Sequence, residues 1–392
     1  MLEQKKRIFS FNQIIICILM FFAGMNVFEK HSYCIFLAFA VLLLSQKDIK
    51  LDKYCAVLTL FSVSYVLFFD LQSLDLMGSL RRLGMPMCYI IGYNFILRND
   101  ATLKSNERVD RNIVLPIVSI ALGATMHYLL NYILNVGNTN RNGLDIWSGK
   151  VMAATGQAML AVLGVGIFVA VLFSDYTLKT KLCAIVGLVL ILMYNFILAG
   201  RTLPLLIFIV AAVCFLYKMK HSNMEHKIRI VCIVFGVIVL FALAFFRNWF
   251  GIQDMILNSN LVNRFEENDI TDTSRWERKQ LYLRNLLMYP FGGNGLYDLV
   301  GGYAHDLILD AYSDAGIITV IFLMVFMVMS IARTIQFVLR AGVGYSAKLI
   351  VISVNIVILI CFFFEPIFQG MPWLFSTYCF IQGIIVKGTR ST

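Results

Sequence analysis

His305 stands beside a row of carboxylates at the edge of a long apolar run. The stretch GGYAHDLILDAYSDAGI places Asp306, Asp310 and Asp314 four residues apart, directly ahead of that run. If the stretch is helical, the carboxylates lie near the helix start, where unpaired backbone N–H groups favour negative charge. Capping and solvation of the helix end therefore account for most of them. His305 differs, because an imidazole titrates near neutral pH and can act as a general base or hydrogen-bond a hydroxyl.

A divalent metal is the competing interpretation of this cluster. Successive helical side chains point about 100° apart, and the stretch lacks the spacing of the known two-histidine zinc motifs. All nine cysteines fall inside apolar runs, so neither a disulfide nor a cysteine-based metal site is indicated. The sequence therefore predicts no metal site and no cofactor.

Arg201 is a single cation between two apolar runs, in NFILAGRTLPLLIFIV. An arginine costs on the order of 3 kcal/mol at the bilayer centre, so it generally has an anionic partner or extends to the interface. Two interpretations remain open. Arg201 either extends to the membrane–water interface without a further role, or it binds a phosphate group on the outer side of the membrane.

Further cations follow in TSRWERKQLYLRN, which predicts an amphipathic helix from about Ser274 to Met288. Arg275, Arg278 and Lys279 share one face of it, and Arg284 lies two turns further on. Guanidinium groups bind phosphate oxygens bidentately, whereas the alternative for each cation is contact with lipid headgroups.

A pair of cations, Arg81 and Arg82, lies in MGSLRRLGMP, at the outer end of a predicted membrane span. We predict that the pair extends the same anion-binding surface, with headgroup contact as the alternative.

The elements that must position these residues are membrane helices. Hydrophobic residues make up 59% of the 392, charged residues 14%, and the mean hydropathy is +0.78, more apolar surface than one soluble core can hide. The chain is thus predicted to be an all-α polytopic integral membrane protein with about twelve transmembrane helices in one domain, residues 1–392. The predicted spans are 11–28, 31–45, 54–70, 83–97, 112–135, 151–173, 182–199, 202–217, 230–246, 311–332, 349–364 and 371–386.

Charge distribution gives the expected orientation. With both termini in the cytoplasm, most of the 33 Lys and Arg residues fall in short inner loops, as membrane insertion requires. The net charge of +10 therefore reports topology, and a nucleic-acid partner is not expected. The same topology makes residues 247–310 one long outer loop containing short amphipathic helices.

Three separated stretches together resemble the O-antigen polymerase and O-antigen ligase superfamily. They are AGRTLPLL, then TSRWERKQLYLRNLLMYPFGGNGLYDLV, then AHDLILDAYSDAGIITVIFL, preceded by the small-residue-rich SGKVMAATGQAMLAVLGVGIF. Their order, spacing and predicted side of the membrane agree with that family over roughly residues 148 to 330. The family often has His-Asn where this chain has His305-Asp306, which bears on the histidine's hydrogen-bonding partner.

The resemblance implies a metal-independent glycosyltransferase of the outer leaflet of a bacterial inner membrane. Its substrate would be an undecaprenyl-diphosphate-linked oligosaccharide, with the active site facing the periplasm. Arg201 and Arg275 would hold the diphosphate and His305 would lie near the acceptor hydroxyl. Arg278, Arg284, Arg81, Arg82 and Asp306 are the further candidates for substrate binding, and a polysaccharide chain-length regulator is a candidate protein partner.

Several functions remain open at this level. The short chain and its compact outer region favour a polymerase of O-antigen or capsule repeat units over a ligase that transfers glycan to lipid A core. A flippase or other transporter is the main alternative that is not an enzyme, although transporters place charges near mid-membrane. A peptidoglycan-type glycosyltransferase would instead use a carboxylate base, Asp298 or Asp306.

Overall fold

The computed structural model describes residues 11–46, 48–95, 105–138, 140–259, 262 and 273–390. Helices dominate these residues, and one pair of short antiparallel strands joins two of them. In chain order the elements are α1 Phe11–Met25, α2 His31–Ser45, α3 Lys53–Tyr65 with a π-helical turn Val66–Asp70, α4 Leu76–Asn94, α5 Ser105–Leu134, β1 Gly143–Leu144, β2 Val151–Met152, α6 Ala154–Phe173, α7 Leu178–Leu198, α8 Thr202–His221, α9 Met224–Phe246, α10 Ile252–Leu257, α11 Thr273–Asn285, α12 Gly295–Val300, α13 Leu307–Leu339, α14 Tyr345–Phe364, α15 Ile367–Gly370 and α16 Pro372–Arg390.

A helix coincides with each of the twelve apolar runs. Within the described residues, seven helices are long and apolar enough to cross a membrane: α3 with its π-helical turn, the Ile113–Leu134 part of α5, α6, α7, α8, α13 and α14. Helices α1 and α2 are apolar but shorter. The chain is therefore an all-α, multi-pass membrane protein. Part of the predicted outer loop, residues 260–261 and 263–272, lies outside the described residues.

Helix α6 lies at the centre of one group of helices. It packs against α5, α7, α8 and α14, and 78% of its most apolar stretch is buried. A second tight contact joins α4 to α16, where a Cβ added at Gly92 would lie 2.1 Å from the carbonyl oxygen of Phe380. Helices inside a membrane associate through such close backbone approach, because lipid gives apolar side chains no reason to leave it.

Helix α13 is broken at Gly316, whose φ of 75° and ψ of −176° are not helical. The turn Pro290–Asn294 fills the break and replaces the missing helical hydrogen bonds. Gly293 N–H donates to the Asp314 carbonyl at 2.9 Å, and Ile317 N–H donates to the Pro290 carbonyl at 2.9 Å. The PFGGNG motif thus fixes the first two turns of α13, which begin next to His305.

The helix expected to include His305 begins later than predicted, at Leu307. Asp306 is its N-cap, and its Oδ1 accepts from the N–H groups of Ile308 at 3.1 Å and Leu309 at 3.2 Å. A carboxylate in this position satisfies otherwise unpaired donors, which is why the helix starts there.

Candidate functional site

A cavity of about 400 Å³ is lined by six separate stretches of the chain. It is lined by Arg141, Ala154, Thr155, Ala158, Gly200, Arg201, Thr202, Arg275, Trp276, Lys279, His305, Phe364 and Glu365. Arg201, Arg275 and His305, which the sequence assigned to one reaction centre, all line it. Arg141, Lys279 and Glu365 complete its set of charged side chains.

Arg201 is carried by the tight turn between α7 and α8. Helix α7 ends at Leu198, and Ala199 adopts a left-handed φ of 53°. The Asn195 side chain then closes the turn by donating to the Gly200 carbonyl at 2.8 Å. Arg201 is consequently the N-cap of α8, and Gly200 to Thr202 bring that helix N-terminus to the cavity wall.

Two cations of α11 reach the end of α14. Arg275 donates to the Phe364 carbonyl at 3.1 Å, and Lys279, one turn later, donates to the Phe363 carbonyl. The last carbonyls of a helix lack partners in their own helix and attract positive charge, so this contact docks α11. The Arg275 guanidinium also lies 3.8 Å from the buried Glu365 carboxylate.

Backbone geometry holds His305 at the cavity. The residue adopts a left-handed φ of 56°, which is uncommon outside glycine. The Asp310 carboxylate binds the N–H groups on both sides of it, of Ala304 at 2.7 Å and of Asp306 at 3.2 Å. Asp310 therefore positions the histidine, and Asp306 caps the helix that follows it.

The cavity is strongly cationic. Four of its side chains are cationic, namely Arg141, Arg201, Arg275 and Lys279, and the described lining residues include one carboxylate, Glu365. The N-termini of α6 and α8 also lie in its wall, and helix N-termini favour anions. This arrangement suits a ligand with more than one negative charge, with Trp276 and Phe364 as apolar neighbours.

The other predicted binding residues do not line this cavity. Arg284 is exposed, Arg81 is half-buried, and Arg278 packs its guanidinium against Gly302. Asp306 caps α13 and pairs with Lys279, whose Nζ lies 3.4 Å from its Oδ2. Asp306 thus acts on the site by orienting a cation.

Arg82, the second cation of the predicted pair, is buried in the interior of the protein. Its guanidinium carbon lies 4.1 Å from the centre of the Tyr65 ring, and its two terminal nitrogens donate to the Phe368 carbonyl at 3.3 and 3.4 Å. Asp314 nearby accepts from Tyr65, and from the Gln369 amide at 2.6 Å. The aromatic face and the buried acceptors retain the arginine inside.

Sequence reasoning missed Arg141 and Glu365. Arg141 precedes a short hairpin, and Glu365 follows the last residue of α14, at the start of a loop. No local pattern marks either residue, because each reaches the cavity only through packing of distant helices. Within the described part of the chain, no three His, Cys, Asp or Glu side chains come together to hold a metal ion.

Comparison with known proteins returns no match to a protein-family model and none to a curated protein sequence.

Proposed function

We propose that this protein polymerises undecaprenyl-diphosphate-linked oligosaccharide repeat units of a surface polysaccharide on the outer leaflet of a bacterial inner membrane. One observation carries the proposal. Arg201, Arg275 and His305, chosen from sequence for a diphosphate and an acceptor, line the same cavity although up to about a hundred residues separate them.

The charge of the cavity supports a diphosphate leaving group. In the proposed reaction the bond between the sugar C1 and the diphosphate oxygen breaks, and its electron pair leaves on the diphosphate. Arg201 and Arg275 stabilise that developing charge, since guanidinium groups remain protonated and bind phosphate oxygens in pairs. The N-terminus of α8 adds partial positive charge beside Arg201.

The acceptor side depends on His305. The attacking hydroxyl forms the new bond to C1 and loses its proton to the imidazole, so that one displacement inverts the configuration at C1. Glu365 is the carboxylate nearest to this chemistry in the described wall, where it pairs with Arg275 at 3.8 Å. Neither step as proposed requires a nucleotide sugar.

Polymer length tests the proposal. The gene is deleted in its source bacterium, and intact or variant copies are returned. The intact copy should restore a ladder of glycan lengths, whereas Arg201→Ala, Arg275→Ala and His305→Ala should each leave single-repeat glycan. Arg284→Ala is the matched control, because it removes an exposed cation from the helix that carries Arg275.

Each alternative function gives a different result. Free lipid-linked polymer that accumulates without transfer indicates a ligase, and repeat units trapped on the inner leaflet indicate a flippase. A full ladder with both arginine variants contradicts the proposed role of the arginines.

A further inference from the structure

A buried network of polar side chains holds the segment that carries Arg141 to the cavity. We name residues 140–152, which link α5 to α6 and include β1 and β2, the strap. Its two strands are two residues long and pair Gly143 with Met152 and Leu144 with Val151. A hairpin this short does not hold its own shape, so the strap must take its conformation from its attachments.

One face of α5 and the first residue after it supply those attachments. His127, Asn131 and Asn135 follow one another at four-residue spacing and are all buried. Asn135 exchanges two hydrogen bonds with the backbone of Leu144, at 2.7 and 2.8 Å, and Asn131 accepts from the N–H of Ile146 at 2.9 Å. The strap backbone thus pairs with helix side chains in the way it would pair with another strand.

The Asp145 carboxylate is the centre of the network. Its Oδ1 lies 2.6 Å from His127 Nε2 and 3.3 Å from the Asn131 amide nitrogen. Its Oδ2 accepts from the N–H groups of Trp147 at 3.1 Å and Ser148 at 2.9 Å, and from the Ser148 hydroxyl. Burial raises the pKa of Asp145, but the hydrogen bonds from His127 and Ser148 outweigh it and hold that pKa below its usual range. An ionised carboxylate can only accept, so His127 donates through Nε2.

Arg141 lies four residues before this anchor and lines the cavity with Arg201 and Arg275. We propose that the strap is a positioning device, in which Asp145 and His127 fix Arg141 as a third guanidinium for the diphosphate group of the lipid-linked substrate. The inference rests on the proposed function and adds to it a binding residue, Arg141, and two positioning residues. A buried polar network with many mutual bonds specifies one geometry, and a small misplacement of a binding group is costly.

The preference for diphosphate over monophosphate distinguishes a role of the strap in positioning Arg141 from a role in the stability of the protein. Full-length protein in lipid nanodiscs is titrated with undecaprenyl diphosphate and with undecaprenyl monophosphate. Arg141→Ala and Asp145→Asn should each weaken diphosphate binding about tenfold and monophosphate binding much less, since the first removes and the second misplaces the guanidinium that binds one of the two phosphates. Lys150→Ala is the control, because it removes an exposed cation from the same strap that does not line the cavity.

A double variant tests whether Asp145 acts through Arg141. If it does, Arg141→Ala with Asp145→Asn should bind diphosphate as weakly as the worse single variant, and no weaker. Losses that multiply, or an Asp145→Asn protein with unchanged selectivity, overturn the proposal. His127→Leu, which removes the hydrogen bond to Asp145, provides the same comparison if Asp145→Asn does not fold, and unchanged selectivity in that variant also overturns the proposal.

Lipid binding by the wild-type protein distinguishes failure of the proposed function from failure of this inference alone. A wild-type protein that binds neither lipid removes the proposed function and this inference together. Wild-type binding that Arg201→Ala weakens, but that the strap variants leave unchanged, removes this inference alone.

Discussion

The backbone N–H of Gly293 donates to the carbonyl of Asp314 at 2.9 Å, in place of a hydrogen bond within helix α13. Ile317 N–H in turn donates to the carbonyl of Pro290. The turn between α11 and α12 is therefore an integral part of a helix that begins 13 residues after it, at Leu307. Because the first turns of α13 carry the Asp310 carboxylate that holds His305, the turn and the candidate site are mechanically connected.

Gly316→Ala tests this connection. A Cβ at Gly316 would lie 2.5 Å from the Phe291 carbonyl carbon, and its φ of 75° with extended ψ is open almost only to glycine. We expect a loss of more than about 2 kcal/mol in the free energy of unfolding and loss of the glycan ladder. The measurements are thermal unfolding in detergent and gel analysis of surface glycan. Gly84→Ala is the control, because a Cβ there meets no heavy atom within 4 Å. Wild-type stability and a full glycan ladder in Gly316→Ala would contradict the inferred connection between the break and the candidate site.

The helical frame was predictable because hydropathy is a local property. Each apolar run of the sequence coincides with a helix, and the helix from about Ser274 appears as α11 followed by a short 3-10 turn to Met288. Asp306 caps the helix as predicted, whereas Asp310 and Asp314 are buried and bind backbone N–H groups and the Gln369 amide, respectively. The start of α13 was misplaced, because the left-handed His305 depends on the Asp310 side chain and leaves no helical pattern.

Contacts between distant helices could not be predicted. Arg275 donates to Phe364, 89 residues away, and Arg82 donates to Phe368, 286 residues away. One pairing leaves an arginine at the cavity and the other buries it, although both residues look alike in sequence. The difference lies in what packs beside each, here the Tyr65 ring over Arg82.

Arg201→Lys and Arg275→Lys test whether geometry as well as charge matters. Lysine retains the positive charge but loses the planar pair of donors, so each variant should reduce polymerisation by about tenfold to a hundredfold. Lys279→Arg, at a cation that binds the Phe363 carbonyl and the Asp306 carboxylate, should retain most of the activity. The measurement is the initial rate of polymer formation from lipid-linked repeat units. Equal rates for the wild type and both lysine variants would show that charge alone suffices.

Two variants of Asp306 distinguish a role in capping α13 from a role in substrate binding. Asp306→Asn keeps a side-chain oxygen for the N–H groups of Ile308 and Leu309, whereas Asp306→Ala removes it. We expect Asp306→Ala to lose about 1 kcal/mol in the free energy of unfolding and Asp306→Asn to lose little. Both variants also lose the charge that pairs with Lys279, which makes them matched controls for each other. Equal stability of the two, with equal loss of activity, would favour the direct role in binding predicted from sequence.

Acid sensitivity of the strap follows from the depressed pKa of Asp145. A carboxyl whose folded-state pKa lies below its unfolded value of about 4 stabilises the protein fully above that pH, and the stabilisation is lost as the pH falls further. Asp145→Asn should therefore cost about 2 kcal/mol at pH 7, by the scale of charged hydrogen bonds, and progressively less towards pH 3. The measurement is the difference in free energy of unfolding between wild type and variant across this range. Asp254→Asn, at an exposed carboxylate, should show a small difference throughout. A difference for Asp145→Asn that stays constant down to pH 3 would mean that the network does not depend on an ionised carboxylate.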